Sequence, residues 1–180
     1  MSDRQAFEDR VMPHLDAAYN LARWLLRSEQ NAEDAVQDAV IRALRYAASL
    51  RDGDAKPWLL GIVRNTCFSM LERTRNGPDL VEFDDEAFQA QVGQADRHDD
   101  HGNPEALLQR QRTRLRVDAA IRALSPSLRE VIVLREFEDL AYEDLARIIG
   151  IPIGTVMSRL SRARVKLRQA LSLDGHGGVT

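Results

Sequence analysis

Apolar residues recur along this chain at steps of three and four, the spacing of helices that bury one face. From Asp3 to Arg27 the stripe is Phe7, Val11, Leu15, Ala18, Tyr19, Ala22, Leu25 and Leu26, with Pro13 marking a kink or a break between two helices. Ser28 to Asn31 reads as a polar turn. A second helix is expected from about Ala32 to Leu50, with Ala35, Val36, Ala39, Val40, Ala43, Leu44 and Ala47 facing inward. After the loop-like RDGDAK of residues 51–56, Pro57 is placed to open a third helix that buries Leu59, Ile62, Val63 and Leu71. The pattern collapses from Asn76 and returns near Pro104, through Leu107, Leu108, Leu115, Ala119 and Leu124. Ser125 and Pro126 then read as the N-cap and first residue of a helix packed by Val131, Ile132, Leu134 and Phe137. The fold class this predicts is all-α, with two small helical domains joined by a flexible linker.

The most informative stretch is Leu140 to Leu171, which reads as a short helix, a tight turn and a longer helix. Val156, Leu160, Ala163, Leu167 and Leu171 give the longer helix its apolar stripe, and Thr155, Ser158, Arg159, Arg162, Lys166 and Gln169 project from its other face. Gly150 can take the left-handed conformation that ends the first helix, and Pro152 cannot continue it. Between Ile151 and Leu171 five cations, Arg159, Arg162, Arg164, Lys166 and Arg168, meet no carboxylate. A solvated helix face would accommodate them. Their position favours a recognition helix, because a helix-turn-helix sets the start of its second helix against base edges in the major groove.

Charge sharpens the division of the chain. The net charge is −3 over 180 residues, yet residues 1–75 hold 11 acids and 11 bases, residues 76–109 nine acids and one base, and residues 110–172 seven acids and 13 bases. A basic C-terminal half is thus tethered to a neutral N-terminal half by an acidic connector, which reads as mobile when free. No apolar run approaches the ~20 residues needed to span a bilayer, and no charged-then-apolar signal segment is evident, so a cytoplasmic protein with no membrane insertion is expected. The single cysteine, Cys67, excludes an internal disulfide and reads as a buried thiol beside Val63, Phe68 and Leu71 rather than a redox sensor. His98 and His101 in RHDDH lack a further ligand set and read as solvated linker, so no metal site and no cofactor are expected.

In the N-terminal half, Glu33, Asp34, Gln37 and Asp38 lie in the early turns of the second helix. Acids there suit the helix dipole, and they equally form a patch for a basic partner. Trp58 suits a core, while a Trp beside Asn65, Arg64 and further cations also suits stacking on unpaired bases.

Taken together these residues resemble the extracytoplasmic-function sigma factors, the small sigma-70 family initiation subunits of bacterial RNA polymerase. The most specific part, LSPSLREVIVLREFEDLAYEDLARIIGIPIGTVMSRLSRARVKLRQAL (124–171), is similar to the family's region 4, which reads the minus-35 element as duplex DNA. The resemblance implies that Ser158, Arg159, Ser161 and Arg162 approach bases or adjacent phosphates, and that Thr155, Arg164 and Lys166 contact the backbone. AEDAVQDAVIRAL is similar to the region 2 helix that docks on polymerase, which implies core contacts by Asp34, Gln37 and Asp38. KPWLLGIVRNTCFSML resembles the part that reads the melted minus-10 strand, with Asn65 near an extruded base and Lys56, Trp58 and Arg64 in support. The implied layout is a region 2 domain over 1–75, an acidic linker over 76–104, a region 4 domain over 105–172 and a frayed tail over 173–180. Implied partners are core RNA polymerase, promoter DNA as duplex and single strand, and an anti-sigma factor. Two positions depart from the family pattern: Ala141 stands where a capping Ser or Thr is frequent, and Met157 where a basic residue is frequent.

Two other classes compete. A self-sufficient helix-turn-helix regulator needs a dimer interface or ligand pocket that the N-terminal half does not display. An enzyme needs a phosphate-binding glycine loop, a catalytic constellation or metal-ligand spacing, and none is evident.

Overall fold

The computed structural model of the chain describes residues 3–50, 53–76 and 103–173, and every regular element among them is helical. α1 (Asp3–Val11) passes through a single 3-10 turn at Met12–His14, where Pro13 falls, into α2 (Leu15–Leu26). Arg27 then adopts a left-handed conformation (φ 56°), so α2 ends abruptly. Ser28 follows in extended conformation, and its Oγ accepts the Asn31 N–H at 3.3 Å. That capping bond starts α3 (Glu29–Arg45) at Glu29, three residues before the helix expected from Ala32, because the sequence pattern carries no sign of an arginine in a left-handed turn. At its other end α3 stops at Arg45 and gives way to a 3-10 turn over Ala47–Ser49, short of Leu50.

α4 (Ala55–Asn76) is capped by Asp54, whose Oδ1 accepts the Lys56 N–H at 3.0 Å. Pro57 is therefore its third residue rather than its first. Proline is tolerated there because the first four N–H groups of a helix have no intrahelical acceptor. α2, α3 and α4 pack on one another through Leu21, Leu25, Ala32, Ala35, Ala39, Leu59, Leu60 and Val63, all essentially inaccessible to solvent.

After the connector, Asn103 caps α5 (Pro104–Arg122) by accepting the Glu105 N–H at 3.1 Å. The N-terminal half of α5 is exposed, so the apolar spacing of Leu107, Leu108 and Leu115 does not signify burial there. α6 (Pro126–Ile132) runs into a π turn over Val133–Phe137. Ser125 occupies the cap position of α6, but only its carbonyl serves the helix, accepting from Leu128 and Arg129. Phe137 is 47% exposed rather than packed in α6's core, although its ring lies on Trp24 with centroids 5.6 Å apart. α7 (Tyr142–Ile149) and α8 (Ile153–Leu173) complete the chain, joined at Gly150 with φ +75°. That value is the left-handed conformation the turn required of a residue without a Cβ.

The two helical groups do not stand apart. α2 packs on α6 and α4 packs on α7, and one continuous set of buried apolar residues runs through both groups. Arg129 of α6 is buried in this junction and donates to four carbonyls: Trp24 at 3.1 Å, Ile121 at 3.3 Å, Arg122 at 2.6 Å and Leu124 at 2.7 Å. A guanidinium so surrounded keeps its charge hydrogen-bonded on every side, which burial demands.

Cys67 lies inside α4 with no exposure, and burial pushes its thiol up to about 12. The thiolate is the reactive species. Iodoacetamide at neutral pH is therefore expected to leave the native chain unmodified and to add one adduct in denaturant. Rapid native alkylation, counted by mass spectrometry, would show that α4 opens readily. His98 and His101 lie outside the described residues.

Candidate nucleic-acid interface

α8 owes its placement to Val156, Leu160 and Ala163, which are buried against α6 and α7. At 100° per residue, the line opposite that stripe carries Gly154, Ser158, Ser161, Arg162 and Val165. Thr155, Arg159 and Lys166 fall on one flank; Met157, Arg164 and Arg168 fall on the other. The outward line is thus small, hydroxylic or apolar, with one cation, while the remaining cations stand to either side. Met157 (53% exposed) and Val165 (39%) add apolar surface to it.

The local bonds of α8 fix several of these groups. Ser158 Oγ donates to the Thr155 carbonyl at 3.0 Å, and Arg162 Nε donates to the Ser158 carbonyl at 3.4 Å, leaving the rest of its guanidinium outward. Arg164 pairs with Glu136 at 2.7 Å. Arg159 is turned inward and lies 3.5 Å from the Glu130 carboxylate. Ser161, Arg162 and Lys166 are exposed. In front of α8, Ala141 caps α7 by backbone alone, with Glu143 and Asp144 in the first turn.

On α4, Arg64 grips Glu130 with two donors, Nε at 2.8 Å and Nη2 at 3.2 Å. Its guanidinium also lies over the Phe68 ring, 4.2 Å from the centroid, and its Nη1 donates to Asn65 Oδ1 at 3.3 Å. Lys56 Nζ is 3.2 Å from the Glu138 carboxylate and donates to the Glu138 carbonyl at 2.9 Å. Trp58 is half-buried and meets Phe7 edge-to-face at 6.5 Å, so it is partly core. Its remaining surface lines a cavity of about 390 Å³ with Gly61 and Asn65 of α4 and with Arg147 and Ile148 of α7. Lys56, Trp58, Arg64 and Asn65 are therefore together on one side of α4, and α7 faces them.

Glu130 and Glu138 are what the sequence reading missed. Glu130 has no solvent exposure, and burial pushes its carboxyl up against the pull of Arg64 and Arg159. The signal was a carboxylate inside the apolar run LREVIVL, which a fold can hold only with a partner. The sequence does not say which arginine that partner is.

On the opposite side of the N-terminal half, Asp34 and Gln37 project from α3 into solvent, while Asp38 is half-exposed and pairs with Arg42 at 2.9 Å. Ile41 (51% exposed) and Leu44 (45%) share that face. Leu44 was expected to point inward; the buried line of α3 is Ala32, Ala35, Ala39 and Ala43, and Leu44 lies away from it.

An all-helical chain with a helix-turn-helix of this kind, joined to a second helical group that carries its own cationic and aromatic face, is a DNA-binding protein built in two parts. Family models agree in both parts: Sigma-70 region 2 matches residues 10–77, and Sigma-70, region 4 matches residues 114–167. The RNA polymerase sigma-H factor of Pseudomonas aeruginosa is 34% identical over 173 residues, covering 94% of this chain and 88% of that protein. The ECF RNA polymerase sigma-E factor of Escherichia coli K12 is 38% identical over 164 residues, covering 90% and 84%. Among solved structures, the sigma factor RpoE in complex with the anti-sigma factor NepR from Bartonella quintana superposes with a TM-score of 0.68 at 29% identity, covering 94% of this chain and 99% of that one. The chain belongs to the ECF family of RNA polymerase sigma factors.

Proposed function

We propose that this chain directs promoter-specific initiation by holding two DNA elements from one polymerase-bound scaffold, and that it works by binding rather than by catalysis. The observation that carries the reading is the surface of α8, a neutral ridge flanked on both sides by cations. A helix lying in a major groove meets base edges along its centre and a phosphate wall on each side. Ser158, Ser161 and Arg162 then face bases of the minus-35 duplex, with Met157 and Val165 offering apolar contact suited to thymine methyls. Thr155, Arg159, Arg164 and Lys166 serve the backbone. α4 supplies the second site, where Asn65 and Trp58 take an unpaired minus-10 base and Lys56 and Arg64 steer its strand. Asp34, Gln37 and Asp38, with Ile41 and Leu44 beside them, dock on core polymerase.

Linkage through polymerase makes the second DNA contact effectively intramolecular, so weak separate contacts suffice. The domain limits of this reading are 1–75 and 105–172 with the acidic linker between. None of the described helices is long and apolar enough to cross a membrane. The reading places the protein in the cytoplasm, where an anti-sigma factor holds it until it is needed.

Run-off transcription with purified core polymerase tests the scheme. Arg162→Ala is expected to lower output about tenfold or more on promoters that depend on the upstream element, since a good base contact is worth about 1–3 kcal/mol. Equal loss on promoters stripped of that element would take Arg162 off the bases. Failure of the wild-type chain to bind core polymerase would favour an independent DNA-binding regulator.

A further inference from the structure

Both promoter-reading elements of this chain are tied to the same buried carboxylate. Glu130 of α6 accepts two hydrogen bonds from Arg64 of α4, at 2.8 and 3.2 Å, and stands 3.5 Å from Arg159 of α8. Arg64 belongs to the face that would steer the melted strand, and Arg159 to the recognition helix. A second carboxylate repeats the arrangement one step along α4. Glu138, 8% exposed, accepts from Asn20 Nδ2 at 2.8 Å and lies 3.2 Å from Lys56 Nζ, which also donates to its carbonyl. Between these two anchors, Arg147 and Ile148 of α7 stand across the cavity from Trp58 and Asn65. Every residue of α4 assigned to the minus-10 strand is thus met by a group from the C-terminal half.

A nucleic-acid strand is a row of anions with stacked rings, and the groups on α4 that would receive it are two cations, an amide and an indole. In the closed chain the cations already hold anions. We propose that Glu130 and Glu138 act as an internal substitute for the promoter strand, latching the two halves together so that the free chain is closed to DNA. Arg64 cannot track a phosphate while both of its donors are spent on Glu130. A strand cannot lie along α4 while α7 covers it. Because the same carboxylate holds Arg159, opening releases a cation to each promoter element at once. Docking on polymerase is compatible with the closed state, since Asp34, Gln37, Ile41 and Leu44 are exposed in it. Polymerase thus meets a chain whose docking face is ready and whose strand-reading face is covered. This inference rests on the sigma-factor reading for the identity of the competing strand.

The full chain with Asp9→Cys and Gln109→Cys, both exposed positions on opposite halves, carries a fluorescent donor and acceptor; Cys67 is buried and stays unlabelled. A single high-transfer population is expected for the free protein, moving to low transfer when core polymerase and promoter DNA are added. A free chain with broad, low transfer overturns the latch. Separately, Glu130→Gln and Glu138→Gln keep the side-chain shape and remove the charge. Together they are expected to lower the transfer of the free chain and to tighten its binding to a fluorescent single-stranded oligonucleotide at least tenfold without polymerase, as read by anisotropy. Unchanged transfer and unchanged affinity in a variant with wild-type helicity overturn the proposal. If the double substitution unfolds the chain, Glu138→Gln alone, at the edge of the junction, gives the same two readouts. A wild-type chain that is closed when free and never binds core polymerase would sink the sigma reading instead, so the two failures are distinct.

Discussion

Leu160→Ala is expected to destabilise the chain by about 3 kcal/mol, in the range measured when a buried leucine is truncated and its cavity only partly collapses. Leu160 is 1% exposed and occupies the middle of the α8 stripe, between Val156 and Ala163, where α8 meets α6 and α7. Whole domains are stable by only about 5–15 kcal/mol, so this one side chain accounts for a sizeable part of the margin. The melting temperature should fall by roughly 6–12 °C for a chain of this size. Leu160→Met, which nearly conserves volume, should cost less than about 1.5 kcal/mol. The consequence for function is indirect: Ser158 and Arg162 reach DNA only because the stripe behind them fixes the rotation of α8. Calorimetry checks the first statement. A shift of under about 2 °C for the alanine variant would mean that α8 is not held by this stripe.

The helices were legible because each rests on a local rule that nothing at long range overrides. Gly150 ends α7 in the left-handed conformation, and Val156, Leu160 and Ala163 are buried as their spacing required. The element limits were less legible where one residue departs from its preference. Arg27 takes a left-handed turn that an arginine seldom adopts, which moved the start of α3, and Asp54 rather than Pro57 sets the start of α4. Leu44 shows the limit of the apolar pattern. Four alanines already fill the close packing of α3 against its neighbours, so the bulkier leucine faces solvent and becomes available to a partner.

The surfaces were legible in kind, through the basic excess of α8 and the acids of α3, but not in their partnerships. No pattern along the chain places Glu130 between Arg64 and Arg159, which are 66 residues before it in the first case and on a different helix in the second. That pairing depends on how α4, α6 and α8 converge, and convergence is a property of the packed core. A buried carboxylate in an apolar run is the trace it leaves in the sequence, and the trace specifies a need without naming what meets it.

The second large effect is expected on polymerase binding. Replacing Asp34, Gln37 and Asp38 together with alanine should weaken the affinity for core polymerase at least tenfold, which corresponds to about 1.4 kcal/mol. The fold should be nearly indifferent. Asp34 and Gln37 are exposed, and the Asp38–Arg42 pair is an exposed contact one helical turn apart, worth at most about 0.5 kcal/mol. The acids and the apolar residues beside them should differ in kinetics. Charges at a rim steer encounter, so their loss should slow association and flatten its salt dependence. Ile41 and Leu44 are apolar surface that a partner would desolvate, and truncating either to alanine should speed dissociation while leaving association near wild type. Measuring association and dissociation at two salt concentrations separates the two contributions. Wild-type rates in the triple variant would remove the α3 acids from the interface, and wild-type dissociation after Ile41→Ala and Leu44→Ala would place the polymerase on another face of the N-terminal half.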